Sequence, residues 1–341
     1  MSVTINHQYM VQVKCFTFNH AAYIEDAMNG FCMQKTTFPF VCAIVDDAST
    51  DREPEIIKNY LQQHFDLDDK TFFRKEETDD YVLTLARHKT NKNCYFAVFF
   101  LKYNHYQIRK PKAPYPNKLI NSKYLAICEG DDYWTDPQKL QKQVDFMNSH
   151  PKYSMCYHAV NHLSDSKIIG NDKKHEEECD VTAENIIEGG GGYCATCSLL
   201  YKSEYVYDIP NFRRLAKVGD APLQVLLAIR GKVRYFPTIM GTYRKNVPGS
   251  WTSRVWNVEL SGPYKNGIEW LLEFNKETNS KYEKSVLKRI YPYILYLFNN
   301  HIINKKEKRN ILNHFSIKTI YKVIGKRAFV HHILSTIKEL P

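Results

Sequence analysis

The stretch SKYLAICEGDDYWTDPQKL, Ser122–Leu140, joins an apolar run to a group of carboxylates. Its first six residues are typical of a short buried strand. Glu129, Asp131 and Asp132 follow directly, and the segment after them, with Pro137 near its start, is typical of a helix. Clustered carboxylates repel one another, so they form either a solvated acidic turn or a site for a cation or for a ligand's donors.

A second strand with an acidic end lies earlier in the chain. FVCAIVDDASTD, Phe40–Asp51, is an apolar run that closes on Asp46 and Asp47. Before it, YMVQVKCFTF predicts a strand, and NHAAYIEDAMNGFCMQ predicts a helix with Asn19 as its cap. Alternating strands and helices predict an α/β fold with a mostly parallel sheet flanked by helices. Because ligands bind beyond the carboxyl ends of such strands, we expect the two acidic clusters to converge on one site.

The rest of the chain divides by pattern. The sequence after Pro151 is rich in strand signals, KVGDAPLQVLLAIRG predicts a helix that begins near Gly219-Asp220, and KVRYFPTIMGTYRKN predicts strands. From about Val255 the pattern is helical to the end. We therefore expect one α/β domain over residues 1–255 and a C-terminal helical region over 256–341.

Composition excludes several classes of protein. The 341 residues are 43% hydrophobic, which suffices for real cores, and no run approaches the roughly eighteen apolar residues of a membrane span. The first ten residues lack a signal-peptide pattern, so a cytoplasmic location is expected. Nine cysteines without framework spacing fit reduced thiols, and the single C-x-x-C, Cys194–Cys197, has no second pair for zinc.

Positive charge is concentrated at the C-terminus. The formal net charge is +10, and residues 301–341 hold nine Lys and Arg against two Glu. Lys318, Lys322 and Lys326 share one helical face beside apolar residues, which is typical of an amphipathic helix at an anionic membrane surface. The alternative is a helix that packs on the domain with solvated lysines. No nucleic-acid-binding motif with interleaved aromatics accompanies the tail, so no nucleic-acid partner is expected.

Two further segments have open interpretations. Tyr103–Asn121 is basic, holds three prolines and predicts a long loop, either a lid or a solvated excursion. The four glycines Gly189–Gly192 could cradle a phosphate. They lack the preceding strand and following helix of a phosphate-binding loop, which favours a flexible turn.

The motifs together resemble the family 2 glycosyltransferases, which use nucleotide-sugars and have the GT-A (Rossmann-like) fold. FTFNHAAYIEDAMNGFCMQ resembles the family's opening strand-turn-helix, VDDASTD its nucleotide block, and EGDDYWTDP its metal block in the form of bacterial surface-polysaccharide enzymes. GDAPL and GSWTS, Gly219–Leu223 and Gly249–Ser253, are similar to its later acidic and tryptophan blocks. The resemblance covers about residues 9–255 with order and spacing kept. An Asn-x-Gly segment common in the family is missing.

The resemblance implies a role for each block. A carboxylate of Asp46 or Asp47 would accept the N3–H of uracil, with the backbone near Thr17 and Asn19 at the ring edge. Glu129 would lie near the ribose or the metal.

In the metal block, the implied ligands of Mn²⁺ or Mg²⁺ on the donor diphosphate are Asp131 and Asp132, and Asp131 also counts among the nucleotide contacts. Asp220 is the implied general base, although Asp at a helix start is also a common cap. Trp251 would contact the acceptor, although a Trp buried in the core is the alternative. Arg244 would contact a phosphate.

The expected function is therefore an inverting, metal-dependent transfer of a sugar from a nucleotide-sugar, with UDP as the expected nucleotide, to a hydroxyl of a glycan or lipid-linked acceptor. Two alternatives belong to other classes. A sugar-nucleotidyltransferase needs a Gly-rich basic loop after the first strand, which FTFNHAAY lacks. A non-catalytic nucleotide- or nucleic-acid-binding protein on the same fold would not need both acidic blocks and Asp220.

Overall fold

The computed structural model describes residues 8–248 and 260–326. The expected boundary at residues 255–256, the GSWTS block with Trp251, and the tail beyond residue 326 lie outside the described residues. The chain forms two compact units. The first comprises the described residues up to 180 with 194–207 and 230–248; the second comprises 181–193, 208–229 and 260–326.

One mixed sheet dominates the first unit. Within the described ranges it has thirteen strands: β1 Tyr9–Thr17, β2 Phe40–Asp46, β3 Phe65–Asp66, β4 Arg74–Glu77, β5 Tyr81–His88, β6 Cys94–Leu101, β7 Ser122–Ile127, β8 Tyr133–Trp134, β9 Tyr153–Ser164, β10 Lys167–Asn171, β11 Cys179–Val181, β12 Leu200–Lys202 and β13 Lys232–Arg244. Their order is β11-β13-β9-β12-β7-β1-β2-β6-β5-β3, with β10 on β9, β4 on β5 and β8 on β13. This arrangement confirms the predicted α/β fold class.

The centre of the sheet is parallel. Strand β1 lies between β2 and β7 and pairs parallel with both, and β2 pairs parallel with β6. Strand β2 is buried along its whole length, as expected of an apolar run covered on both faces. Four helices accompany the sheet: α1 Ile24–Cys32, α2 Glu53–His64, α3 Pro114–Leu119 and α4 Lys139–Ser149.

Several local expectations were wrong. Helix α1 begins at Ile24, because Asn19 has a φ of +57° and its side chain binds another loop instead of capping the helix. Strands β5 and β6 were not predicted. The expected strands over residues 232–244 form one strand with register shifts. Within YCATCSLLY, which belongs to the stretch after Pro151 that is rich in strand signals, Thr196–Ser198 is a 3-10 turn.

The second unit is helical. Its elements are α5 Ala183–Gly189, α6 Asn211–Leu215, α7 Asp220–Arg230, α8 Ser261–Glu277, α9 Glu283–Asn299, α10 Lys305–Leu312 and α11, residues 317–326. Helix α8 packs on α6 and α9, and buried Leu271, Phe274 and Leu287 fill the space between them. None of the described helices has the length and apolar composition that a membrane span needs.

All nine cysteines lie in the described part of the chain, and all carry free thiols. Seven are buried, and Cys32 and Cys179 are half-buried. Burial raises the thiol pKa of every one of them above its ordinary value, because the thiolate loses hydration.

Candidate active site

The loops after β1 and β2 are joined through Asn19. Its Oδ1 accepts hydrogen bonds from the backbone N–H of Thr50 (2.8 Å) and of Asp51 (3.4 Å), and its own N–H donates to Ser49 Oγ (2.9 Å). The positive φ of Asn19 turns its side chain into this position, a conformation that Asn tolerates better than most residues. Asn19 therefore shapes the nucleotide block through side-chain contacts.

Glu53 is a central residue of this loop pair that sequence reasoning missed. It is fully buried in the first turn of α2. Its carboxylate accepts from the Thr17 hydroxyl, from the backbone N–H of His20 (2.9 Å) and from Ser49 Oγ (2.8 Å). A buried carboxylate with three donors is well satisfied and fixes the loops rigidly. The sequence offers only a weak signal, an acid in the first turn of a helix.

Asp46, at the end of β2, is 2% exposed, and its Oδ1 accepts from the Ser49 N–H at 3.3 Å. Burial raises the pKa of Asp46 to about 7, and the nearby Glu53 and Asp47 charges add to this, against the hydrogen bonds from Ser49. Its charge therefore changes near neutral pH.

Asp47 is fully buried, and its carboxylate is hydrogen-bonded to other groups of the protein. Its carboxylate accepts from the backbone N–H groups of His105 (2.7 Å) and Tyr106 (3.2 Å) and from Lys112 Nζ (2.9 Å). Its backbone O also accepts from Asn104 Nδ2 at 3.0 Å. Asp47 therefore anchors the segment that follows β6.

The same segment has a second carboxylate anchor, Asp80. Asp80 accepts from Lys110 Nζ (2.7 Å) and from the hydroxyls of Tyr115 (2.9 Å) and Tyr103. The hydrogen bond from Lys110, with those from the two tyrosines, lowers the pKa of Asp80. The basic segment Tyr103–Asn121 is thus tied to the domain at two points and contains α3.

The acidic block, Glu129–Asp132, follows β7, on the other side of β1 from Asp46. The N–H of Gly130 donates to the Phe16 carbonyl at 3.2 Å, which holds the block against the end of β1. Glu129 is exposed, Asp131 is half-buried and Asp132 is 2% exposed. The block and the loops after β1 and β2 (the nucleotide loops) therefore lie at the same edge of the sheet, at the carboxyl ends of three adjacent strands.

Asp131 and Asp132 have different surroundings. The Oδ1 of Asp132 accepts from the backbone N–H of Arg244 at 2.8 Å, and burial, with the charge of Asp131 next, raises its pKa well above the usual range. The Oδ2 of Asp131 lies 3.9 Å from Nε2 of His20, which sequence reasoning also missed. Asp131 is the more accessible of the two carboxylates.

Arg244, at the end of β13, binds the acidic block directly. Its Nη1 donates to the backbone O of Asp131 at 2.7 Å and its Nη2 to the carboxylate of Asp26. The guanidinium lies over the rings of Tyr23 (5.0 Å) and Tyr133 (4.6 Å). Arg244 is thus placed beside the site.

The oxygen atoms of the acidic block can be compared with the ligands that a divalent cation needs. Among the described residues, no group of three or more His, Cys, Asp and Glu side chains is gathered as a protein-only metal site requires. Mg²⁺ at nucleotide sites usually takes only one or two carboxylates and completes its shell with phosphate oxygens and water. Asp131 and Asp132 supply that number of hard oxygen donors, so the residues fit Mn²⁺ or Mg²⁺ on a diphosphate.

Gly130 has no space for a side chain. An added Cβ would lie 2.1 Å from Thr17 Oγ1 and 3.1 Å from His20 Nδ1. We expect Gly130→Ala to lower the free energy of unfolding in urea by about 1–3 kcal/mol, because β1 and the acidic block must separate. Gly262→Ala is the control, since its added Cβ would meet no atom of another described segment within 4 Å. Equal urea midpoints for the two variants would contradict this close approach.

Asp220 lies in the second unit, where it is the first residue of α7. Its Oδ1 accepts from the N–H of Ala221 at 2.7 Å, and its side chain lines a cavity of about 490 Å³ formed by residues of that unit. The position at a helix start is as predicted; the catalytic role stays a prediction.

Comparison with known proteins gives one matching family model and relatives in two mycobacteria. Residues 16–90 match the model of Glycosyl transferase family 2. Uncharacterized proteins of Mycobacterium tuberculosis and Mycobacterium bovis are each 30% identical over 254 residues, covering 71% of this chain and 61% of their own length. The chain thus spans less than two thirds of these relatives.

The fold is similar to that of S. aureus TarS. The structure of TarS residues 1–349 with UDP-GlcNAc superposes with a TM-score of 0.58 at 15% identity, over 95% of this chain and 83% of that one. The structure with UDP gives 0.57 at 16% identity, over 91% and 81%. At this identity the likeness concerns the fold. The chain therefore has the GT-A fold, and its residues 16–90, which hold the nucleotide block, are similar to glycosyl transferase family 2.

Proposed function

We propose that the protein is an inverting glycosyltransferase that moves a sugar from a UDP-sugar to a hydroxyl of a glycan or lipid-linked acceptor. The observation that carries the proposal is the meeting of the nucleotide loops and the acidic block at the carboxyl ends of β2, β1 and β7. Ligands of open α/β sheets bind at this edge. The family match and the nucleotide-bound structures of TarS support the same class of donor.

Asp46 is the better candidate of the acidic pair for recognising the base. The carboxylate of Asp47 already accepts three hydrogen bonds from the 104–112 segment, whereas Asp46 accepts from the N–H of Ser49. An ionised carboxylate accepts strongly from an imide N–H such as N3 of uracil. We assign this contact to Asp46 and a structural role to Asp47.

Asp131 and Asp132 would hold Mn²⁺ or Mg²⁺ against the diphosphate. When bound, the cation neutralises the charge that develops on the departing UDP. The chain's own contribution is to fix the two carboxylates: Arg244 holds Asp132 through its backbone N–H and the carbonyl of Asp131 through its guanidinium. Glu129, exposed beside them, is assigned to the ribose or the metal.

Asp220 is proposed as the general base. In an inverting transfer it removes the proton of the acceptor hydroxyl as that oxygen bonds to the anomeric carbon, while the bond from that carbon to the UDP oxygen breaks on the opposite side. The proton passes to the Asp220 carboxylate and the bonding electrons leave with UDP. The half-buried carboxylate on an open cavity supports this assignment.

The proposal is tested by titrating UDP into the purified chain with and without Mn²⁺ and then measuring hydrolysis of UDP-sugars. Metal-dependent binding with turnover is expected. Binding without any turnover would favour the non-catalytic alternative on the same fold. Failure to bind UDP, GDP and dTDP under every condition would overturn the transferase proposal.

The raised pKa of Asp46 makes donor binding depend on pH. Because the ionised form accepts from N3–H, we expect the affinity for UDP-GlcNAc to increase as the pH rises through about 7. UDP-GlcNAc is used because its diphosphate has no terminal phosphate that titrates there. Asp46→Asn should weaken binding about tenfold or more and remove this dependence. An unchanged pH profile in Asp46→Asn would assign the effect to another group.

A peripheral membrane location is proposed from α11. Ile317 and Tyr321 are exposed large hydrophobic side chains, and Lys318 and Lys322 are exposed beside them. Lysines near an anionic bilayer each contribute about 1 kcal/mol to binding. Co-sedimentation with vesicles containing phosphatidylglycerol, compared between the native chain and Lys318→Gln/Lys322→Gln, tests this; equal sedimentation of both would reject it.

A further inference from the structure

The cavity in the second unit has a composition that restricts what it can bind. It encloses about 490 Å³ between the glycine segment Gly189–Gly192 (the glycine turn), the start of α7, and helices α8 and α9. Its charged and aromatic lining residues are Lys217, Asp220, Tyr264, Trp270, Arg289 and Tyr293. A volume of this size with a few convergent polar groups is typical of a small-molecule site.

Positive charge exceeds negative charge in this lining. Lys217 and Arg289 face one carboxylate, Asp220, and within the described ranges neither cation lies within ion-pair distance of any carboxylate. Lys217 is positioned through its backbone N–H, which donates to Asn266 Oδ1 at 2.8 Å. Arg289 lies over the ring of Tyr293 at 5.2 Å. Two cations at a cavity wall that form no ion pair with any described carboxylate suit an anionic ligand.

The glycine turn lies beside both of the opposite charges. A Cβ on Gly190 would lie 2.1 Å from Nη2 of Arg289, and one on Gly191 would lie 2.4 Å from Oδ2 of Asp220. The guanidinium and the carboxylate therefore contact consecutive backbone positions and are within about 11 Å of each other. Gln224 Nε2 fixes the turn by donating to the Gly191 carbonyl at 3.2 Å.

Part of the lining is aromatic. The rings of Tyr264 and Tyr293 stack with centroids 4.4 Å apart and planes at 14°, and Trp270, which is 5% exposed, also lines the cavity. Gly267 allows this packing, since a Cβ there would lie 3.0 Å from the Tyr293 ring. Aromatic faces present apolar surface with polar edges, which suits the C–H faces and hydroxyls of a sugar.

We infer that this cavity takes a sugar acceptor that carries an anionic group, with the anion on Arg289 and Lys217 and a hydroxyl at Asp220. The inference rests on the proposed function for the role of Asp220. Arg pairs bidentately with phosphates and carboxylates alike, so both anions match the site. The acceptor class is thus set by two cations, whereas a neutral glycan would leave them without partners.

Ligand-detected NMR on the full chain tests this with D-glucose, D-glucose 6-phosphate and D-glucuronate as probes. The titrations include saturating UDP and Mg²⁺, which is diamagnetic, so that the donor diphosphate site does not take the anion. We expect the anionic sugars to bind about ten- to a hundredfold more tightly than D-glucose. The ratio of the two anionic probes distinguishes a phosphate-bearing from a carboxylate-bearing acceptor.

Matched variants separate the cavity from the general positive charge of the chain. Arg289→Gln and Lys217→Gln should each remove most of the preference for the anionic sugars, and Lys284→Gln, an equal charge loss on exposed α9 surface outside the cavity, should keep it. Lys217 is exposed, so its variant remains informative if Arg289→Gln does not fold.

UDP affinity, measured alongside, should be the same in all three variants. Equal binding of neutral and anionic sugars, or a preference that survives both cavity variants, overturns the inference. If UDP still binds with metal in that case, the proposed donor function stands; if UDP fails to bind, the donor function fails independently.

Discussion

Replacing Asp220 with asparagine is expected to lower kcat for sugar transfer by about 10²–10⁴-fold, the usual contribution of a positioned general base. Asparagine has the same shape, and its Oδ1 can still accept from the N–H of Ala221, so α7 should keep its start. The amide cannot take the acceptor proton. The dissociation constant of UDP should not change, because the nucleotide loops belong to the first unit.

The control for this variant is Glu184→Gln, which makes the same carboxylate-to-amide change in the first turn of another helix, α5. It should leave kcat and UDP binding unaltered. Rates are measured as UDP release with acceptor present, and thermal unfolding checks the fold. If Asp220→Asn transfers sugar at the native rate, Asp220 is only a helix-start residue and another base must be sought.

Replacing Asp131 with asparagine is expected to lower the transfer rate by on the order of 10³-fold, since a divalent cation contributes several kcal/mol to stabilising transition-state charge. Asp131 is preferred to Asp132 for this test because it is half-buried, whereas Asp132 is 2% exposed and already bonded to the Arg244 backbone. In Asp131→Asn, Mn²⁺ should also no longer increase the affinity for UDP.

The matched control lies in the same block. Asp136→Asn removes a carboxylate five residues away that pairs with exposed Lys142, and surface pairs of this kind contribute little. It should retain both Mn²⁺ stimulation and transfer. Binding of UDP that responds equally to Mn²⁺ in the native chain and in Asp131→Asn would show that the cation is held elsewhere.

The parts of the fold that the sequence predicts are those with strong local signals. Strands β1, β2 and β7 are apolar runs that end in polar or acidic residues, and both the sheet class and the position of the acidic blocks follow from them. Strand β6, Cys94–Leu101, has the same apolar character and could have been predicted. It was missed because no acidic motif marks its end.

The contacts of individual site residues could not be predicted, because they depend on partners far away in the chain. Asp47 is bound by His105 and Lys112, 58 and 65 positions later, and Glu53 by Thr17, 36 positions earlier. Nothing local in VDDASTD distinguishes Asp46 from Asp47. Only the three-dimensional structure separates Asp47, which anchors the segment after β6, from Asp46, which is assigned to the uracil ring.

The burial of all nine cysteines has a practical consequence for spectroscopy. Maleimides react with thiolates, and every native thiol here is at least half-buried and has a raised pKa. A cysteine placed on an exposed position would therefore react fastest without prior removal of the others. Fluorophores and spin labels can thus be attached at chosen surface positions of the unaltered core, and donor and acceptor binding can be followed by changes in their signal.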